Sequence, residues 1–323
     1  MLDKIPVLNR IDPFILMLIA VVVAASLLPV RGAGAVFAGG LTDAAIVLLF
    51  FLHGAKLSRE AILSGFGAWR VHGTVLTATY VLFPLIGIAV RYLFAGWTSP
   101  ALLDGLLFLC LLPSTVQSSV AFTAIARGNV AAAVCSASIS NIAGIFLTPL
   151  LASLLIGHMA TGSGDAIQKI AFQLLLPFIA GHLCRPLLLG FLDRHKALIG
   201  RVDRGSILLV VYTAFSASVV EGMWHRLDAA DLVLILAIDL AILAIVLLAT
   251  WTAGRRLGFS RADEIVILFC GSKKSLVSGV PIAGTLFPAA MMGPVILPLM
   301  LFPQIQLMAC AVIAQRYRSR TDG

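Results

Sequence analysis

Apolar runs of about 20 residues recur along the whole chain, and that is the length an α-helix needs to cross the hydrocarbon core of a bilayer. On that basis the sequence places spans at about 13–30, 36–54, 71–93, 101–126, 131–156, 168–186, 206–220, 231–252, 262–287 and 291–315. The seventh is the shortest. Between the sixth and seventh, the stretch Leu187–Gly205 mixes leucines with Arg194, Lys196, Arg201 and Arg204. It reads either as a short helix on the membrane surface or as a solvated linker. With 60% hydrophobic and 12% charged residues, a water-soluble chain of 323 residues would lack the charge to cover its surface. Lipid must solvate much of it. No small-residue cleavage site followed by a soluble domain marks the first run as a secretory leader.

A net charge of +8 invites a nucleic-acid reading, but the basic residues sit in short connections between apolar runs. With the N-terminus inside, cytoplasmic segments receive Lys4, Arg10, Lys56, Arg59, Arg70, Arg127, Arg185, Arg194, Lys196, Arg201, Arg204, Arg255, Arg256, Arg261, Arg316, Arg318 and Arg320. Outer segments receive only Arg31, Arg91, Lys169 and Arg226. This asymmetry is how topology is written. The expectation is an all-α protein of the inner (cytoplasmic) membrane with ten spans, both termini cytoplasmic and the lipid bilayer as its partner. The five cysteines form no CxxC pair and read as small apolar packing residues. No cofactor is expected.

Ten spans divide into five and five. Because five is odd, the second half (161–323) must enter the membrane inverted relative to the first (1–160). The fourth span of each half carries an interruption. Leu109-Cys110-Leu111-Leu112-Pro113-Ser114-Thr115 breaks with proline and resumes through Gln117, Ser118 and Ser119. Cys270-Gly271-Ser272-Lys273-Lys274-Ser275 breaks with glycine and polar residues and resumes through Ser278. Proline removes a backbone donor, and glycine tolerates unwound chain. Opened backbone at membrane depth survives only where protein or a watery cavity satisfies it. Two breaks at matching positions point to one central site made by crossing broken helices.

At these residues the chain resembles the bile acid:sodium symporter family, in particular its YfeH-like bacterial branch. The resemblance is carried by Ala126-Arg127-Gly128-Asn129-Val130-Ala131, by Leu147-Thr148-Pro149-Leu150 and by Phe269-Cys270-Gly271-Ser272-Lys273-Lys274-Ser275-Leu276. It implies a core domain from spans 3–5 and 8–10 and a panel domain from spans 1, 2, 6 and 7. Broken helices 4 and 9 would cross in the core. It also implies an organic-anion substrate held between the domains and carried by alternating access. The family label does not fix that substrate; a small carboxylate or a sulfonated amphiphile is the expectation.

The sodium ligands of such relatives are not reproduced. Alignment on the Ala-Arg-Gly-Asn-Val stretch retains Ser119 but puts Val120 where the relatives have asparagine. Ala133 and Ala137 fall at two hydroxyl ligands, and Phe269 and Lys273 at a glutamate and a glutamine. Ser119 is the only retained position, and an ammonium nearby repels a cation. Sodium-independent transport is the expectation, and a sodium symporter with a modified ion site is the alternative.

A lysine near the bilayer centre costs about 2.5–3.5 kcal/mol or more. Either Lys273 and Lys274 cap carbonyls of the broken helix or pair with a buried acid such as Asp239, or they stand in for the ion and meet the substrate anion. A lysine held out of water can also exchange a proton, which makes proton coupling a further expectation. Ser114, Thr115, Gln117, Ser118, Ser119, Ser272, Ser275 and Ser278 are substrate-site candidates, because resumed half-helices present free amides to an anion. Asn141 is read as a cavity or interhelix contact, and Asp239 as a functional partner of the lysines. Gln304 and Gln306 are placed near the core site. Asp43, His53 and Asp104 are read as interfacial. A channel lacks a repeated filter motif here. An intramembrane hydrolase would need a dyad of Ser119 or Ser275 with Lys273 or Lys274.

Overall fold

The computed structural model describes residues 13–56, 67–157, 171–222 and 228–319. Lys4, Arg10, Arg59, Lys169, Arg226 and Arg320, the first residues of the sixth expected span, and the junction of the two halves lie outside them. Helices account for nearly all of the described chain: α1 (Pro13–Leu27), α2 (Ala33–Lys56), α3 (Trp69–Leu93), α4 (Pro100–Leu111), α5 (Val116–Ile125), α6 (Val130–Leu155), α7 (Leu176–Arg194), α8 (Lys196–Val220), α9 (Ala229–Arg256), α10 (Arg261–Gly271), α11 (Leu276–Leu286) and α12 (Ala289–Ser319). Eight helices or collinear helix pairs among the described residues are long and apolar enough to cross a membrane. The pair α4 and α5, bent by 59°, brings the number to nine if the two together are one span. At 15 residues, α1 falls short of a span by itself.

Two expectations about the middle of the chain are corrected. The stretch 187–205 is neither linker nor separate surface helix: α7 runs on to Arg194, and α8 starts at Lys196. The seventh span is therefore a 25-residue helix, not a short one. Hydropathy marked where the lipid-compatible stretch ends, but nothing there stops a helix. Pro186 lies inside α7, and Leu192 and Ile199 pack with Leu52 and Ala55 of α2 in a small apolar cluster.

Two helices carry one wide π-type turn, at Ala78–Leu82 in α3 and at Ala171–Leu175 just before α7. Each is followed two residues later by a proline, Pro84 or Pro177. A proline ring clashes with the carbonyl of the preceding turn and supplies no amide, and the turn widens to accommodate it.

Helices α2 and α7 meet backbone to backbone. A Cβ on Gly54 would overlap the carbonyl oxygen of Phe178, and one on Gly181 would overlap that of Phe51. Small residues permit this approach, which drives helix association in lipid. Gly54→Leu or Gly181→Leu is expected to destabilise the purified protein by about 1–3 kcal/mol through overpacking. Thermal unfolding in detergent measures this. Gly190→Leu, where a Cβ meets nothing within 4 Å, should leave the unfolding temperature unchanged.

Among the eight single spans, the pair α10 and α11 is the most enclosed: in its most apolar window 89% of residues are buried, against 22–44% for the others.

Candidate functional site: the crossing of two broken helices

The first break follows from Pro113. Leu112 takes φ −73° and ψ 154°, the extended conformation that proline imposes on the residue before it, and α4 ends. The second break opens between Gly271 and Leu276, where Ser275 caps α11 by accepting from the Ser278 amide. The two opened segments touch. The Ser275 amide donates to the Pro113 carbonyl at 2.8 Å, and the Ser114 hydroxyl donates to the Cys270 carbonyl at 2.6 Å.

Most groups freed by the breaks find partners. Ser140 Oγ accepts from the Ser114 amide at 3.0 Å, and Thr148 donates to the Leu111 carbonyl at 2.7 Å. Gln306 donates to the Ser272 carbonyl at 2.7 Å, and the Ser272 hydroxyl donates to Leu268 at 2.6 Å. Asn141 bridges the breaks: its amide donates to the Ser114 carbonyl at 2.7 Å, and its oxygen accepts from Ser278 at 3.0 Å. Ser119 reaches the Phe269 carbonyl, and Thr115 the Lys274 carbonyl, each at 3.4 Å.

The two lysines point apart, and both are buried. Lys274 Nζ donates to three carbonyls: Thr79 at 2.9 Å, Cys110 at 2.8 Å and Leu112 at 2.7 Å. An ammonium has three donors, and all are used. These carbonyls lack the usual helical donors. In the wide turn of α3 the Phe83 amide bonds to Ala78, so the next donor along for Thr79 falls on Pro84, which has none. The amide that would reach Cys110 belongs to Ser114 and goes to Ser140. Leu112 lies beyond the end of α4. Lys274 thus realises the capping expectation, with its charge 4.0 Å from the centroid of the Phe83 ring. Lys273 does not. Its ammonium lies 4.3 Å from the Phe122 ring centroid with no hydrogen-bond partner among the described residues.

One expectation fails here. Asp239 is fully buried, but no ion pair joins it to either lysine, and neither carboxylate oxygen has a hydrogen-bond partner among the described residues. Asp104, near the start of α4, is buried, its side chain 2% exposed and paired with Arg91 at 3.2 Å. His53 lines the central cavity. Asp43 is exposed. No hydrogen bond joins either lysine to Ser119 or Ser275 among the described residues, so the Ser-Lys dyad does not form.

That cavity, about 440 Å³, lies between the crossing and α2, α7 and α8. Thr115, Gln117, Asn141, Ser275 and Ser278 line its crossing side. Leu49, Phe50 and Phe178 face them, with Lys56 and Asp203, which form an ion pair, at one end. A second chamber of about 490 Å³ adjoins it and takes in Ser118, Lys274, Gln304 and Gln306. Ser114, Ser119, Ser272, Lys273 and Asp239 line neither. Sequence reasoning missed the Lys56–Asp203 pair, whose acid lay in the stretch taken for a connection. It also passed over Ser140 and Thr148, which look like ordinary small helix residues.

A multi-pass helical protein with two interrupted spans crossing beside a cavity of mixed polar and apolar lining has the architecture of a membrane carrier. The sequence profile of the SBF-like CPA transporter family matches residues 12–319, and the chain belongs to that family. It is 53% identical over 317 residues to YfeH of Escherichia coli (strain K12), covering 97% of this chain and 94% of that one. It is 54% identical over 313 residues to PA2026 of Pseudomonas aeruginosa, covering 96% and 94%. To sodium/bile acid cotransporter 7 of Danio rerio it is 28% identical over 290 residues, covering 88% and 85%. The YfeH-like branch of the bile acid:sodium symporter family is thus its place, as the signature around Lys273 and Lys274 implied.

Proposed function

We propose that this protein is a secondary active transporter of an organic anion that works by alternating access, with fixed ammonium groups in place of a sodium site. It would sit in the inner membrane with ten spans, α1 completing the first, and both termini in the cytoplasm, a reading that the basic residues of the connections support. Its halves, 1–160 and 161–323, would be inverted repeats. A panel of α1, α2, α7 and α8 would move against a core of the remaining helices. In support, α1 packs on α8, and α2 on α7 and α8.

The observation that carries the reading is the cavity at the crossing. The N-termini of α5 and α11 open into it through Val116, Gln117 and Val277, whose first-turn amides lack intrahelical partners and, with the positive dipole ends, suit an anion; the Ser278 amide is taken by Ser275. The relatives named sodium/bile acid cotransporters are consistent with an organic anion. Sodium is another matter. Two cationic heads lie at the crossing, and Ala133 and Ala137 have no oxygen to offer. Lys274 holds the backbone carbonyls that a bound cation would otherwise hold. Lys273 and Asp239, buried and without a hydrogen-bond partner among the described residues, are the candidates to carry a proton.

Proteoliposomes loaded with a screened organic anion test this directly. Counterflow is expected to saturate and to proceed equally with and without a sodium gradient. Uptake that rises steeply with inward sodium overturns the fixed-cation reading in favour of a modified sodium site.

A further inference from the structure

The central cavity does not end at the half-helix N-termini. It continues past Thr115, Gln117 and Val277 into the second chamber, which Arg201 and Arg204 of α8 also line. Three residues apart on a helix, these two side chains share a face. Asp203 is the one carboxylate lining either chamber among the described residues, and Lys56 already pairs with it. Neither arginine forms an ion pair among the described residues; the Arg204 guanidinium rests 5.8 Å from the centroid of the Phe14 ring. Two guanidinium groups with no carboxylate to serve therefore line the same chamber as the N-terminal residues of α5 and α11. A guanidinium matches a carboxylate with two parallel hydrogen bonds, geometry that an ammonium lacks.

We propose that Arg201 and Arg204 form a second anion subsite and that the ligand is a dianion. One acidic group sits at the N-termini of α5 and α11, and the other on the arginine pair of α8, with an apolar linker between them. This rests on the anion-carrier reading above and deepens it. A ligand of this kind ties the crossing to α8, whereas a monoanion engages only one side.

The test uses the full chain in nanodiscs of zwitterionic lipid. Isothermal titration compares linear α,ω-dicarboxylates from butanedioate to decanedioate with the monocarboxylate of the same carbon number. At the fitting length the diacid is expected to bind about tenfold tighter or more, the equivalent of one added charge-assisted pair. In the Arg201→Gln/Arg204→Gln double variant that advantage should vanish while the monoacid binds as before. Both arginines are exposed, so the unfolding temperature should stay at the wild-type value. A monoacid that matches its diacid at every length overturns the inference and leaves the anion-carrier reading standing. So does a double variant that weakens both acids alike, because the arginines would then act only as a general field. If no acid of either kind binds, both readings fall.

Discussion

Lys274→Ala is expected to be among the most destabilising single substitutions in this protein and to be partly repaired by a small amine. The substitution strips three carbonyls, of Thr79, Cys110 and Leu112, of the donor that each now has within 3 Å. Each buried polar group left unsatisfied costs about 1–3 kcal/mol, so the three together reach several kcal/mol. For a chain of this size that corresponds to a fall in unfolding temperature on the order of 10 °C. No neighbouring amide can turn in to help, because Pro84 and Pro113 lack the hydrogen and the Ser114 amide is held by Ser140. The vacated space has the volume and the acceptors for an alkylammonium. Methylammonium should therefore raise the unfolding temperature of Lys274→Ala in a saturable way and leave the wild type unmoved. A Lys274→Ala protein that unfolds at the wild-type temperature removes the case for a fixed cation at the crossing.

The role of Lys274 shows where sequence reasoning reached and where it stopped. The breaks at Pro113 and Gly271 were legible because proline and glycine act on their own backbone. The burial of the lysines was legible because they lie in an apolar run with no charged neighbour nearby in sequence. What Lys274 binds was not legible. Its acceptors lack donors because of two prolines in two other spans, and only the fold brings Thr79 within reach of residue 274. The same limit explains Asp239. An acid and two lysines, each isolated in lipid, were expected to find one another, yet no ion pair joins them. The continuity of the stretch 187–205 with α7 and α8 was missed for a different reason. A hydropathy pattern reports the boundary of the membrane, and α7 and α8 continue as helices past it. Without that extension, neither Asp203 nor Arg201 and Arg204 could be placed beside the cavity.

Lys273→Met is expected to do the opposite of its neighbour's substitution: to stabilise the protein while abolishing transport. The Lys273 ammonium is fully buried and donates to nothing among the described residues. Its one favourable contact is the Phe122 ring, worth about 2 kcal/mol when desolvated. Against this stands about 2.5–3.5 kcal/mol or more for holding the charge away from water. Methionine keeps the length and the ring contact and removes the charge, and buried charges replaced by well-packed apolar groups commonly leave a protein more stable. The unfolding temperature should rise by a few degrees. A buried charge within a membrane span that costs stability points to function, so counterflow of the same preparation should fall by about tenfold or more. Asp239→Leu should behave likewise, and a double-mutant cycle shows whether the two act as a pair. If they are independent in this state, their stability effects should add to within about 0.5 kcal/mol. A Lys273→Met protein that loses as much stability as Lys274→Ala would mean that the ammonium has partners at the crossing and that the two lysines share one structural task.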